Sequence, residues 1–135
     1  MPHELYPQVA IRARHRCEYC RAPEEFHSTE FEVEHIHPQS LGGANSLENL
    51  ALACRSCNLR KLQATHAVDP ATGQVAELFN PRNDRWSEHF VFVAEAREIV
   101  GITSTGRATV RRLDLNRSHV LRARQRWVMS GWLPT

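Results

Sequence analysis

Two cysteine pairs constrain this chain more than any other feature. Cys17-Glu-Tyr-Cys20 and Cys54-Arg-Ser-Cys57 are both CxxC, they are 33 residues apart, and they use up all four cysteines. Each pair presents two thiolates to one tetrahedral ion, and two pairs complete a closed four-sulfur site. Such a site has no open position for substrate, so the expected ion is a structural zinc held by Cys17, Cys20, Cys54 and Cys57. Its binding free energy, on the order of 10 kcal/mol in favourable cases, is folding free energy. A redox dithiol would need a βαβ setting and would leave the second pair unexplained.

At 135 residues and 41% hydrophobic, the chain has material for one core with an appended piece, and a metal staple would help so small a core. No apolar run approaches the roughly 20 residues that span a bilayer, and the first 17 residues lack the apolar stretch of a secretory signal. The expectation is a cytoplasmic protein with no membrane partner, in a compartment where disulfides are rare. The net charge of +2 conceals an asymmetry. Residues 1–100 carry 10 Lys and Arg against 14 Asp and Glu, while residues 101–135 carry seven Arg against Asp114 alone. An acidic half with a basic tail suits a polyanion partner held by the tail. The competing reading is a solvated arginine face.

Local pattern predicts a helix over Pro7–Arg16, then a strand over Phe31–Ile36, where apolar and polar residues alternate. Pro38 ends that strand, and Gly42-Gly43 marks a loop. Leu47–Ala53 reads as a returning strand, entered directly or through a short turn of helix at Ser46, and Cys57–His66 as a helix. Further on, the pattern predicts a strand over Gln74–Phe79, a polar loop over Asn80–Glu88, and a hairpin of His89–Ala94 with Glu98–Thr103. Two helices then end the chain, about Thr105–Leu115 and Arg117–Met129. In the last, Val120, Leu121, Trp127 and Val128 form an apolar stripe. The fold class is α+β, divided into a core over residues 1–66 and an extension over 67–135 packed on it.

Glu34 and His35 close the predicted first strand, Asn58 opens the predicted helix, and the cysteine pairs bracket both. Singly these residues are ordinary, since Asn is a common helix N-cap. Together they bring a carboxylate oxygen and an amide oxygen toward one point beside an imidazole. Oxygen ligands of this kind favour Mg²⁺ or a similar divalent ion that keeps most of its waters. Strict alternation sets Glu34 and His35 on opposite strand faces, so both reach one site only if the strand ends or bends there. His37 shares the face of His35 and is a second candidate for metal or phosphate contact.

Taken in order, CxxC, Glu34-His35 with Pro38 three residues on, Gly42-Gly43, Asn49-Leu50 and Cys57-Asn58-x-x-Lys61 resemble the HNH endonuclease family in its four-cysteine, His-Asn-Asn variant. The resemblance spans Cys17–Lys61, about a third of the chain. It implies a ββα-metal (His-Me finger) core, to which the remainder adds a β-hairpin and two helices. It implies His35 as general base, Asn49 as the residue that holds the loop and orients that histidine, and Glu34 and Asn58 as ligands of a catalytic divalent ion. Lys61 matches a basic residue near phosphate. The implied activity is metal-dependent hydrolysis of DNA phosphodiester bonds by a monomer or homodimer, with no small-molecule cofactor. Arg60, His37, Arg107, Arg111, Arg122 and Arg126, with Arg112 and Arg124, are the expected nucleic-acid contacts. The alternative is a non-catalytic zinc module that binds DNA or protein, which would not need His35 or Asn58.

Overall fold

The computed structural model describes residues 3–134. The chain divides into two compact units, Met1–Thr65 with Asn80–Asp84, and His66–Phe79 with Arg85–Thr135. The architecture mixes helices and short antiparallel strand pairs. Among the described residues, no helix is long and apolar enough to cross a membrane.

In the first unit, helix α1 (Tyr6–Arg12) has proline in its first turn, where a missing N–H costs nothing, and buries Val9 and Ala10. It is shorter than the sequence pattern predicts. Arg14 and His15 adopt left-handed backbone angles, with φ of 56° and 55°, and turn the chain toward Cys17. Strand β1 (Glu32–His35) pairs antiparallel with β2 (Leu50–Ala53), in the register Glu32↔Ala53 to His35↔Leu50. Every residue of β2 is buried, which explains its unbroken apolar run. The predicted second strand begins three residues late, because Leu47–Asn49 forms a 3₁₀ turn.

Helix α2 (Arg55–Lys61) follows β2 directly. Its N-cap is Cys54, whose sulfur accepts the Cys57 N–H at 3.4 Å. The helix stops at Leu62, which has φ 51° and ψ −126°, well before the predicted end at His66. That stop frees His66–Val68 to become strand β3, which pairs with β4 (Val75–Glu77).

The second unit contains that hairpin, helix α3 (Trp86–His89), the hairpin of β5 (Phe90–Val93) and β6 (Glu98–Gly101), and helices α4 (Ser104–Arg112) and α5 (Ser118–Met129). Thr103 caps α4 by accepting the Gly106 N–H at 2.9 Å. Gly106 has no substitute, since a Cβ there would lie 2.0 Å from the carbonyl oxygen of His89. Trp86, Phe90 and Phe92 form a ring stack that Trp132 and Trp127 extend, with centroid spacings of 5.0–5.7 Å. The apolar stripe read for α5 is corrected in part. Val120 and Trp127 are buried, but Val128 is exposed and Arg124 takes a place in the interior. Its guanidinium donates to the carbonyls of Arg97 and Leu115 and to Asn116 Oδ1, so Arg124 ties backbone together and cannot meet DNA.

Candidate functional site

The cysteine pairs converge as their spacing predicts. All four sulfurs are buried and lie within 4.8 Å of one another. Cys20 Sγ and Cys54 Sγ are 3.8 Å apart, close to the edge of about 3.8 Å implied by a zinc–sulfur tetrahedron with bonds of about 2.3 Å. The two pairs repeat one local geometry. The Cys20 N–H points at Cys17 Sγ at 3.5 Å, as the Cys57 N–H points at Cys54 Sγ. The neighbouring thiols and burial push the Cys57 thiol well above its usual range, a cost that a dication bound among the sulfurs would reverse. The donor set therefore fits a closed structural zinc site.

Strand β1 and helix α2 form the walls of a cleft of about 300 Å³, lined by Glu34, His35, Pro38 and Asn58 among others. His35 and Asn58 thus border one space. Asn58 donates through Nδ2 to Glu32 Oε2 at 3.2 Å, which leaves its amide oxygen as the donor atom available to a cation. His35 Nε2 lies 2.9 Å from Asn45 Oδ1.

Glu34 is buried, and each carboxylate oxygen has a partner. Tyr19 O–H donates to Oε1 at 2.5 Å and Lys61 Nζ to Oε2 at 2.7 Å. Lys61 Nζ also donates to the carbonyl of Ile36 at 2.9 Å. Burial pushes the Glu34 carboxyl up, and Lys61 first, then Tyr19, pull it back. Burial and the adjacent carboxylate raise the Tyr19 hydroxyl in turn. Lys61 is only 1% exposed, so the expectation that it meets phosphate is overturned. Its charge is spent inside the protein.

The Asn49 side chain bonds the loop that follows β1. It accepts the His37 N–H and donates to the carbonyls of His37 and Ala44, all at 2.8–2.9 Å. The orienting contact to the His35 ring belongs to Asn45 instead, which nothing in its Gly-Gly-Ala-Asn setting singles out. The same loop leaves no room for a side chain at Gly43, where a Cβ would lie 1.8 Å from the His37 carbonyl oxygen. His37 is exposed and its Nε2 lies 3.0 Å from the Leu41 carbonyl.

The predicted cationic contacts divide. Arg60, Arg111, Arg112, Arg122 and Arg126 are exposed. Arg107 is held by Asp69 through Nε and Nη2 at 3.0 and 2.9 Å, with Ser104 on the same carboxylate, so it serves a local ion pair. Other features that the sequence did not disclose are the buried Tyr19–Glu34–Lys61 chain and His3, which reaches Asn45 from the N-terminus.

In comparison with known proteins, residues 17–63, about a third of the chain, match the family model described as HNH endonuclease. No curated protein and no solved structure matches the chain.

Proposed function

We propose that the HNH segment makes this protein a metal-dependent endonuclease that hydrolyses DNA phosphodiester bonds. The antiparallel β1–β2 pair followed by α2 is read as a ββα-metal core, and the four-sulfur site as its structural zinc. The observation that carries the reading is the shared cleft. An imidazole from the strand and an amide from the helix border one space, inside the segment that matches the family.

Asn58, through its amide oxygen, and Glu34 would hold the catalytic divalent ion. Glu34 uses two of its roughly four lone-pair directions on Tyr19 and Lys61, so a direction remains for ligation. Such an ion, when bound, stabilises charge on the phosphoryl and leaving oxygens. Neutral His35 accepts a proton from water as the water oxygen bonds to phosphorus. The bond from phosphorus to the 3′-oxygen breaks, and that oxygen takes a proton from solvent, which leaves 5′-phosphate and 3′-hydroxyl ends. Asn49 fixes the loop after β1. The exposed Arg111, Arg112, Arg122, Arg126 and Arg60 supply backbone contacts, which give affinity without sequence reading.

A second reading has one observation in its favour. The Lys61 ammonium occupies the acidic partner of the proposed ion, as suits a zinc module that binds DNA without cutting it. Plasmid incubated with Mg²⁺, Mn²⁺ or Ni²⁺, with and without chelator, separates the two. Cleavage by wild type, lost with chelator and in His35→Ala at unchanged zinc content, supports the enzyme. Binding without cleavage under every metal selects the zinc module.

A further inference from the structure

A neutral imidazole carries one N–H, and a general base must present its other nitrogen to water. Which nitrogen His35 presents can be worked out from the N-terminal segment, which lies outside the residues that match the family.

The chain of reasoning starts at Leu5. A backbone N–H only donates, and that of Leu5 points at His3 Nδ1 at 3.0 Å. His3 Nδ1 therefore carries a lone pair, and the proton of the neutral ring is on Nε2. His3 Nε2 lies 2.8 Å from Asn45 Oδ1, so a donor meets an acceptor. The opposite amide orientation would set NH₂ against N–H, which fixes Asn45 as built. The same oxygen lies 2.9 Å from His35 Nε2. An amide oxygen has two lone pairs and can accept both imidazoles. The two rings meet edge to face, with centroids 6.0 Å apart and an interplanar angle of 63°, as suits two donors converging on one atom. The amide is steadied from behind, because Asn49 holds the Ala44 carbonyl at 2.8 Å.

We infer that His3 is a positioning residue for His35. Acting through Asn45, it holds His35 with its proton on Nε2, so that Nδ1 is the nitrogen presented to water. The assignment of Nδ1 as the base atom rests on the nuclease reading; the tautomer itself does not. A second imidazole without this geometry would be an ordinary surface histidine. Here it decides the orientation of the side-chain amide that touches the proposed base.

The test uses the full, zinc-loaded chain with ¹⁵N-labelled imidazoles. Long-range ¹H–¹⁵N correlations, recorded at a pH of about 8 where imidazole is mostly neutral, report which ring nitrogen is protonated. Wild-type His35 is expected as the Nε2–H form. His3→Phe keeps the ring shape and removes the donor, and Asn45→Leu removes the acceptor; both should move His35 toward a mixture of forms. His3→Gln, which offers an N–H to Asn45, should restore the wild-type pattern. In the cleavage assay, His3→Phe should lower kcat about 10-fold with little change in KM, the size usual for a residue that orients another. A His35 pattern unchanged in both His3→Phe and Asn45→Leu would overturn the inference. The expected tautomer shifts in a protein that cuts no plasmid would uphold the positioning and sink the nuclease.

Discussion

Lys61 Nζ lies 2.7 Å from Glu34 Oε2, and both side chains are almost wholly removed from solvent. Removing one member of a buried pair strands the other, so Lys61→Met should destabilise the first unit by about 3–5 kcal/mol. The double variant Glu34→Gln/Lys61→Met leaves no unpaired charge, although the Ile36 carbonyl still loses its Lys61 donor, and should recover part of that loss. Urea unfolding of the zinc-loaded protein measures both. Equal stability of wild type and Lys61→Met would show that the ammonium is not confined there.

Zinc removal should cost the fold, not only the activity. Cys54 contributes both a sulfur to the cluster and the N-cap of α2. Cys54→Ser should lose bound zinc and the cooperative unfolding transition together, since the metal's binding energy is part of the folding energy. A folded Cys54→Ser protein with its full zinc content would exclude the four-sulfur site.

Arginines on one helix should separate by role. Arg124→Met removes the guanidinium donor from the carbonyls of Arg97 and Leu115, while Asn116 Oδ1 keeps the Ile99 N–H at 2.9 Å. A buried acceptor left without a donor, as the Leu115 carbonyl would be, costs about 1–3 kcal/mol, so thermal stability should fall while the salt dependence of DNA binding stays. The exposed Arg122 and Arg126 should behave in the opposite way. Their double replacement by alanine should leave the melting temperature near wild type and flatten the salt slope by about two phosphate contacts. A salt slope unaltered by the double change would remove them from the interface.

Acid should weaken the second unit through Asp69. Hydrogen bonds from Arg107, then Ser104, hold its carboxyl well below the usual range against the opposing effect of burial. A depressed carboxyl stabilises the fold above its unfolded value, about 3.9, and loses that contribution as pH falls through the folded value. Asp69→Asn should therefore be less stable than wild type at pH 6, with the gap closing below about pH 4. All three tryptophans lie in this unit, so their fluorescence during urea unfolding follows it. A gap that stays constant with pH would mean that Asp69 is not held ionised by Arg107.

The parts of the structure that were legible in the sequence are those set by spacing. The cysteine pairs specify their cluster, and the alternation of Phe31–Ile36 gives β1 to within a residue at each end. Partner choice inside the core was not legible. Nothing in Cys57-Asn58-Leu59-Arg60-Lys61 tells that Asn58 turns to Glu32 while Lys61 turns inward to Glu34. That depends on how α2 is rotated against β1, which is a property of packing. The end of α2 was missed for a related reason. Leu62-Gln63-Ala64 has good helix propensity, but Leu62 takes a positive φ and the chain leaves as β3. Arg124 was misread because an arginine amid polar neighbours is usually solvated, and only the fold reveals three acceptors gathered around its guanidinium. His3 and Asn45 carry no sequence signal, since a single hydrogen bond between positions 42 apart leaves no periodic trace.

The return of Asn80–Asp84 to the first unit bears on how the protein can be dissected. Arg82 forms an ion pair with Glu18, the residue directly after Cys17, and Glu18 in turn accepts the Leu52 N–H at 2.8 Å. A fragment cut after residue 66 would keep every cysteine and the whole His35 cleft, yet would strip the counter-ion from an acid wedged between the first cysteine pair and β2. Loss of activity on such truncation would then report a bared carboxylate beside the cysteine cluster, and could not be credited to missing DNA contacts unless Glu18 were first neutralised.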